Sequence, residues 1–98
     1  MIRHVAMFTF RDGTTPDQVD TVDAALETLP GLIEEIRAYT FGRDLALAEG
    51  TWDYVVVADF DTIETYMAYS GHPDHRAVID NAIRPIMASV QRVQFEVS

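Results

Sequence analysis

The first residues alternate. Ile2, His4, Ala6, Phe8 and Phe10 fall on one side of an extended segment, and Arg3, Val5, Met7 and Thr9 on the other, so Ile2 to Phe10 predicts a strand that carries His4 among its apolar set. After a turn at Asp12-Gly13-Thr14, the period changes. Thr15-Pro16-Asp17-Gln18 combines an N-cap, a proline at the first helical position and a capping-box glutamine, and Val19, Val22, Leu26 and Leu29 follow at helical spacing. Asp20, Asp23 and Glu27 lie on the opposite side and read as a solvated face. Leu29-Pro30-Gly31 is expected to end this helix, with one short turn in Leu32 to Ile36.

Ala38 to Arg43 reads as a second strand, with Tyr39 and Phe41 on one face and Gly42 as the place for a bulge. Leu45 to Asp53 is the longest irregular stretch, a connection expected to fold over an edge or an opening. Tyr54 to Phe60 is the clearest strand: Tyr54, Val56, Ala58 and Phe60 face one way, Val55 and Val57 the other. Asp61-Thr-Ile-Glu64 reads as a capping box opening a helix with Ile63, Tyr66 and Met67, and Gly71 breaks it. Pro73 restarts a helix through Val78, Ile79, Ala82, Ile83 and Ile86, Pro85 kinks or ends it, and Ser89 to Val97 closes the chain as a strand.

The order strand, helix, strand, strand, helix, strand is the split βαβ arrangement of a ferredoxin-like α+β fold, a four-stranded antiparallel sheet with helices on one face. That order leaves the side bearing Val5, Met7, Val55 and Val57 without a covering layer. Two apolar faces with helices for only one predict a homodimer through the bare sheet face.

Composition narrows the function. Ninety-eight residues, 48% of them hydrophobic, make one globular domain, and no apolar run approaches the roughly 20 residues that span a bilayer. The opening residues lack the zones of a signal peptide, which points to a cytoplasmic protein. There is no cysteine and no lysine, seven scattered arginines face sixteen acidic residues, and the net charge is −9, so nucleic acid and anionic membranes are not expected partners. Phosphate-cradling glycine loops and nucleophile elbows are absent.

The candidate chemistry lies in Tyr69-Ser-Gly-His-Pro-Asp-His75, which sets a phenol and two imidazoles at a break between helices. An imidazole near pKa 6.5 suits proton removal from carbon between two carbonyls, making His75 the candidate base, with Tyr69 as a donor to it or to an enolate and His4 to orient a carbonyl. The alternative for each is structural: His4 as a hydrogen-bonded core histidine, His75 in local contacts, Tyr69 as a helix-end aromatic, His72 as a turn residue. A metal site built on His72, His75 and His4 lacks the converging ligands that zinc needs, and no metal or cofactor is expected.

The whole chain resembles the stress-responsive dimeric alpha/beta barrel (Dabb) family. The resemblance is carried by the opening Ile-Arg-His-Val-Ala-Met-Phe-Thr-Phe strand, by Trp52-Asp-Tyr-Val-Val-Val-Ala-Asp-Phe60 and by Tyr69-Ser-Gly-His-Pro-Asp-His75. It implies a ferredoxin-like protomer whose sheet packs against a second copy to form a barrel. The family includes plant stress proteins and plant polyketide cyclases that close a poly-β-keto chain by an aldol-type condensation. Matched residue by residue, the cyclase trio falls on His4, Tyr69 and His75. Two expectations follow: a cofactor-free, cyclase-like lyase acting on a small hydrophobic or β-polyketide molecule, or a stress-responsive dimeric barrel that binds an apolar ligand or serves a structural role without turnover.

Overall fold

The computed structural model describes residues 1–98. Four strands, β1 (Ile2–Phe10), β2 (Ala38–Arg43), β3 (Tyr54–Phe60) and β4 (Met87–Glu96), form one sheet in the order β2-β3-β1-β4, every neighbouring pair antiparallel. Helices α1 (Pro16–Leu32), α2 (Ile63–Ser70) and α3 (Pro73–Val78) complete the ferredoxin-like fold. A π-helical turn, Ile79–Ile83, extends α3 and closes with Arg84 N–H donating to the Ile79 carbonyl at 2.8 Å. The turn widens just ahead of Pro85, whose nitrogen has no proton to continue the helical ladder.

Local chemistry sets each helix start. Thr15 and Gln18 form the expected capping box, the Gln18 side chain accepting from Thr15 N–H at 2.9 Å. Helix α2 is capped one residue later than Asp61-Thr-Ile-Glu64 suggests: Thr62 and Thr65 exchange backbone-to-hydroxyl bonds of 3.1 and 3.2 Å. Asp61 is left free to pair with Arg37 at 2.8 Å. Nor does α1 stop at Leu29-Pro30-Gly31. It runs to Leu32, because Ile33 N–H donates to the Leu29 carbonyl at 2.9 Å and both side chains are fully buried, which holds the last turn despite Pro30.

The core lies between the helices and one sheet face. Val22, Leu26 and Leu29 of α1 and Tyr69 of α2 join Tyr54, Val56, Ala58 and Phe60 of β3. Asp20 and Asp23 are not merely solvated: both pair with Arg43 of β2, and Asp23 also accepts from the Tyr54 hydroxyl at 2.5 Å, tying α1 to the sheet edge. Gly42 sits in unbroken register opposite Val55, and the irregularity falls instead between Thr9 and Phe10.

The other face has no helix over it. Val5 lies opposite both Val57 and Val93, and Met7 opposite Val55, while Met7, Val93 and Phe95 remain 36, 53 and 47% exposed. At one end Arg3 clasps Asp59 through two bonds of 2.8 and 2.9 Å, holding the carboxyl below its ordinary range. The Leu45 to Asp53 connection folds over this same face, with Leu45, Leu47 and Trp52 forming a groove with Met7 and Val55. Its C-terminal end is pinned at Asp53, whose N–H donates to the Phe8 carbonyl and whose carboxylate accepts from Phe10 N–H, and Asp44 N–H donates across to the Asp53 carbonyl.

Candidate functional site

Between the helices and the sheet lies a cavity of about 360 Å³, and His4, Tyr69 and His75 all line it. Strand alternation sends His4 inward beside Ala6, and that small side chain leaves space beneath α3 and its π-helical extension. Gly71 ends α2 so that Tyr69 sits in the final turn, and His72 caps α3 by accepting from Asp74 N–H at 3.1 Å. His75 is then carried on the first turn of α3. His72 thus has the turn role expected of it, and the cavity lining does not include it.

Tyr69 lies beside both imidazoles. The Tyr69 and His75 ring centres are 4.1 Å apart, and those of His4 and Tyr69 are 6.2 Å apart. Tyr69 does not hold His75 through its hydroxyl, however. It packs against the imidazole with its ring face, and the hydroxyl meets that of Tyr39 at 3.0 Å. Burial raises the Tyr69 pKa and pushes that of Tyr39 up to about 12, so both phenols keep their protons at neutral pH.

The two imidazoles hold complementary protonation patterns. His75 Nδ1 lies 3.1 Å from the Ser70 carbonyl, an acceptor only, so Nδ1 carries the proton and Nε2 keeps a lone pair. His4 Nδ1 lies 2.8 Å from the Gln94 amide nitrogen, a donor only, so Nδ1 accepts and the His4 proton sits on Nε2. Burial, reinforced by repulsion between the protonated ring and its neighbours His75 and Arg92, lowers the His4 pKa to about 4. Burial also lowers that of His75, opposed by the Ser70 bond and assisted by Arg76 and His72. Both rings are therefore neutral at pH 7, one presenting an acceptor and the other a donor.

Three contributors escaped the sequence reading. Gln94 sets the His4 tautomer, Tyr39 holds the Tyr69 hydroxyl, and Tyr66 packs its ring 5.2 Å from that of His4. Gln94 stands opposite His4 in the β1–β4 register, a pairing that only strand alignment reveals. No group of three or more His, Cys, Asp or Glu side chains is arranged to hold a metal ion.

The stress responsive A/B barrel domain (Dabb) matches residues 2–97. The chain belongs to this family. Among Dabb relatives, the stress-response A/B barrel domain-containing protein HS1 of Arabidopsis thaliana is 27% identical over 77 residues, covering 76% of this chain and 70% of HS1. A dimeric ferredoxin-like protein of unknown function from Thermobifida fusca is 48% identical with a TM-score of 0.91, covering 98% of this chain and 90% of that one. The hydroxynitrile lyase of Passiflora edulis shares the fold, with a TM-score of 0.86 over 99% of this chain and 93% of the lyase at 13% identity. The Dabb assignment and the ferredoxin-like fold agree with the sequence reading on both counts.

Proposed function

We propose that this Dabb protein is a homodimer whose helix-side cavity binds a small β-dicarbonyl or polyketide-like molecule and moves a proton at its α-carbon, leading to enolisation or aldol-type ring closure. The observation that carries this reading is the pair of opposite tautomers lining one cavity, a free Nε2 on His75 from α3 and an N–H on His4 from β1. In the proposed step, His75 Nε2 takes the α-proton and the C–H electron pair becomes the enolate double bond. His4 Nε2–H donates to the oxygen that gains charge. For ring closure the enolate carbon attacks a carbonyl carbon further along the same molecule, a C–C bond forms, and the imidazolium of His75 returns its proton to the alkoxide. Tyr69 is a positioning residue here, fixing the His75 ring by stacking. Aldol closure needs no redox partner, since electrons and protons balance within the substrate and the two imidazoles.

The dimer is supported by the uncovered apolar face and by the dimeric T. fusca relative. Each protomer keeps its own cavity on the helix side of the sheet.

Deuterium exchange at the α-carbon of 1-phenylbutane-1,3-dione, followed by NMR, tests the chemistry. His75→Asn keeps a donor for the Ser70 carbonyl while removing the base, so exchange above the buffer rate should fall by about 10²- to 10⁴-fold with little change in Tm. Wild-type exchange in that variant, with destabilisation in His75→Ala, would overturn the base role. It would leave the non-catalytic ligand-binding or structural barrel as the reading.

A further inference from the structure

The chain carries sixteen acidic residues against seven arginines, so an arginine without a partner is unexpected. Arg3 pairs with Asp59, Arg37 with Asp61, Arg43 with Asp20 and Asp23, and Arg84 with Asp80. Arg11 donates to the Met87 carbonyl at 3.1 Å. Arg76 and Arg92 remain, each with no salt bridge and no side-chain hydrogen bond, and both line the cavity that holds His4 and His75. Arg84 lines it as well, while no Asp or Glu does. In a protein with net charge −9, the charged side chains that line this cavity are thus all arginines.

Chance placement accounts poorly for this. Arg76 is one turn from Asp80, within reach of an i,i+4 pair, yet Asp80 is engaged by Arg84 at 3.2 Å. Arg92 stands opposite Ala6 on β4, which puts it on the helix-facing side, two residues from Gln94 and adjacent to His4. The interior is apolar, formed by Leu26, Val56, Val78, Ile79, Ile83 and their neighbours, and at about 360 Å³ it is at the lower end of small-molecule sites. An apolar interior rimmed by unpaired guanidinium groups matches an amphipathic anion: a hydrophobic body inside and a compact charged head held by bidentate bonds.

We infer that the ligand of this cavity is a carboxylic acid, a small oxo acid with an apolar body, whose carboxylate is bound by Arg76 and Arg92 while its dicarbonyl portion lies against His4 and His75. This inference rests on the proposed function for the dicarbonyl portion and adds the acid group to it.

A matched pair of ligands tests it: 2,4-dioxo-4-phenylbutanoate and neutral 1-phenylbutane-1,3-dione share the phenyl diketone body and differ in the carboxylate. Binding is measured by NMR titration of the 98-residue chain at low and high salt. The acid should bind at least about tenfold more tightly, and the advantage should shrink in high salt. Arg76→Gln/Arg92→Gln should bring the two ligands within about twofold of each other and leave the neutral ligand's Kd unchanged, whereas Arg11→Gln should preserve the difference. Equal wild-type affinities, or an acid preference that survives the double substitution, overturn the inference, as does binding of neither ligand. The single substitutions and Tm values guard against a misfolded double variant. Exchange at the α-carbon separates the two readings. Arginine-dependent acid binding without exchange removes enolisation but keeps the acid site, while exchange of both ligands without arginine dependence does the reverse.

Discussion

The two faces of the sheet are built from the same four strands and differ in everything that follows. On the helix side, β1 contributes His4, Ala6 and Phe8, all at least nine-tenths buried. On the other side the intervening residues Val5 and Met7 meet Val93, Val55 and Val57, and much of that surface is open. One face places polar chemistry within a packed core; the other carries an apolar stretch through Val5, Met7, Val55, Val57 and Val93, with Arg3–Asp59 at one end and the hydrogen-bonded Thr9 and Ser89 at the other. The lesson is one of parity. A one-residue slip of β1 would put His4 on the open face and Val5 in the cavity, losing the site and the core together.

Four substitutions or conditions should separate the faces, beginning with the largest effect. Phe60→Ala empties a fully buried aromatic position on the helix side and should cost about 3–5 kcal/mol in urea unfolding, while the light-scattering mass of the folded protein stays that of two chains. Val93→Asp on the open face should do the converse. A charge at the centre of the proposed interface should weaken the dimer by about 3 kcal/mol or more, giving a single-chain mass at micromolar concentration with native far-UV circular dichroism. A one-chain mass for the wild type would remove the dimer from the account altogether.

Lowering the pH should act on the helix side first. His4 is neutral in the folded protein with its pKa lowered from 6.5 to about 4, and that of His75 is lowered too, so the unfolded chain binds these protons more readily. Their contribution is complete above pH 6.5 and is lost as pH falls toward 4, by up to about 3 kcal/mol for His4. His4→Gln should remove most of that dependence in unfolding measured at pH 7, 5.5 and 4. Asp59 has the opposite charge logic: its pKa is lowered by Arg3, so the Arg3–Asp59 contribution persists until pH falls below the ordinary carboxylate range. A melting curve insensitive to pH between 7 and 4 would contradict the burial of the two rings.

The smallest effect belongs to Tyr39→Phe. It removes the hydroxyl that meets Tyr69 at 3.0 Å and should cost about 1 kcal/mol, because a buried phenol is left with one partner fewer. If Tyr69 matters only by stacking on His75, α-carbon exchange in Tyr39→Phe should stay within about threefold of wild type. A hundredfold loss would make the phenol pair part of the proton path.

Much of this was readable before any coordinates. The alternation of Ile2 to Phe10 and of Tyr54 to Phe60 identified both faces, since a strand reports its sides residue by residue. The Thr15-Pro16-Asp17-Gln18 signature located the start of α1 because a capping box uses only neighbours in sequence. The end of α1 was not readable in the same way: Pro30 argues locally for a stop, and the burial of Ile33 overrides it. Likewise Asp20 and Asp23 look solvated along the helix, and only packing brings Arg43 and the Tyr54 hydroxyl to them.

The same division runs through the site. The sequence by itself determined the element order, the apolar excess that one layer of helices cannot cover, and the three residues His4, Tyr69 and His75, because periodicity, capping and motif spacing are local properties of the chain. The tertiary structure alone decided that those three share a cavity, that Gln94 and the Ser70 carbonyl fix opposite tautomers, and that the two unpaired arginines stand at its wall. Those facts depend on strand register and on helix placement over the sheet, where residues as far apart as 4 and 94 meet. No local pattern encodes such a meeting; it follows from burying one face of the sheet beneath the helices.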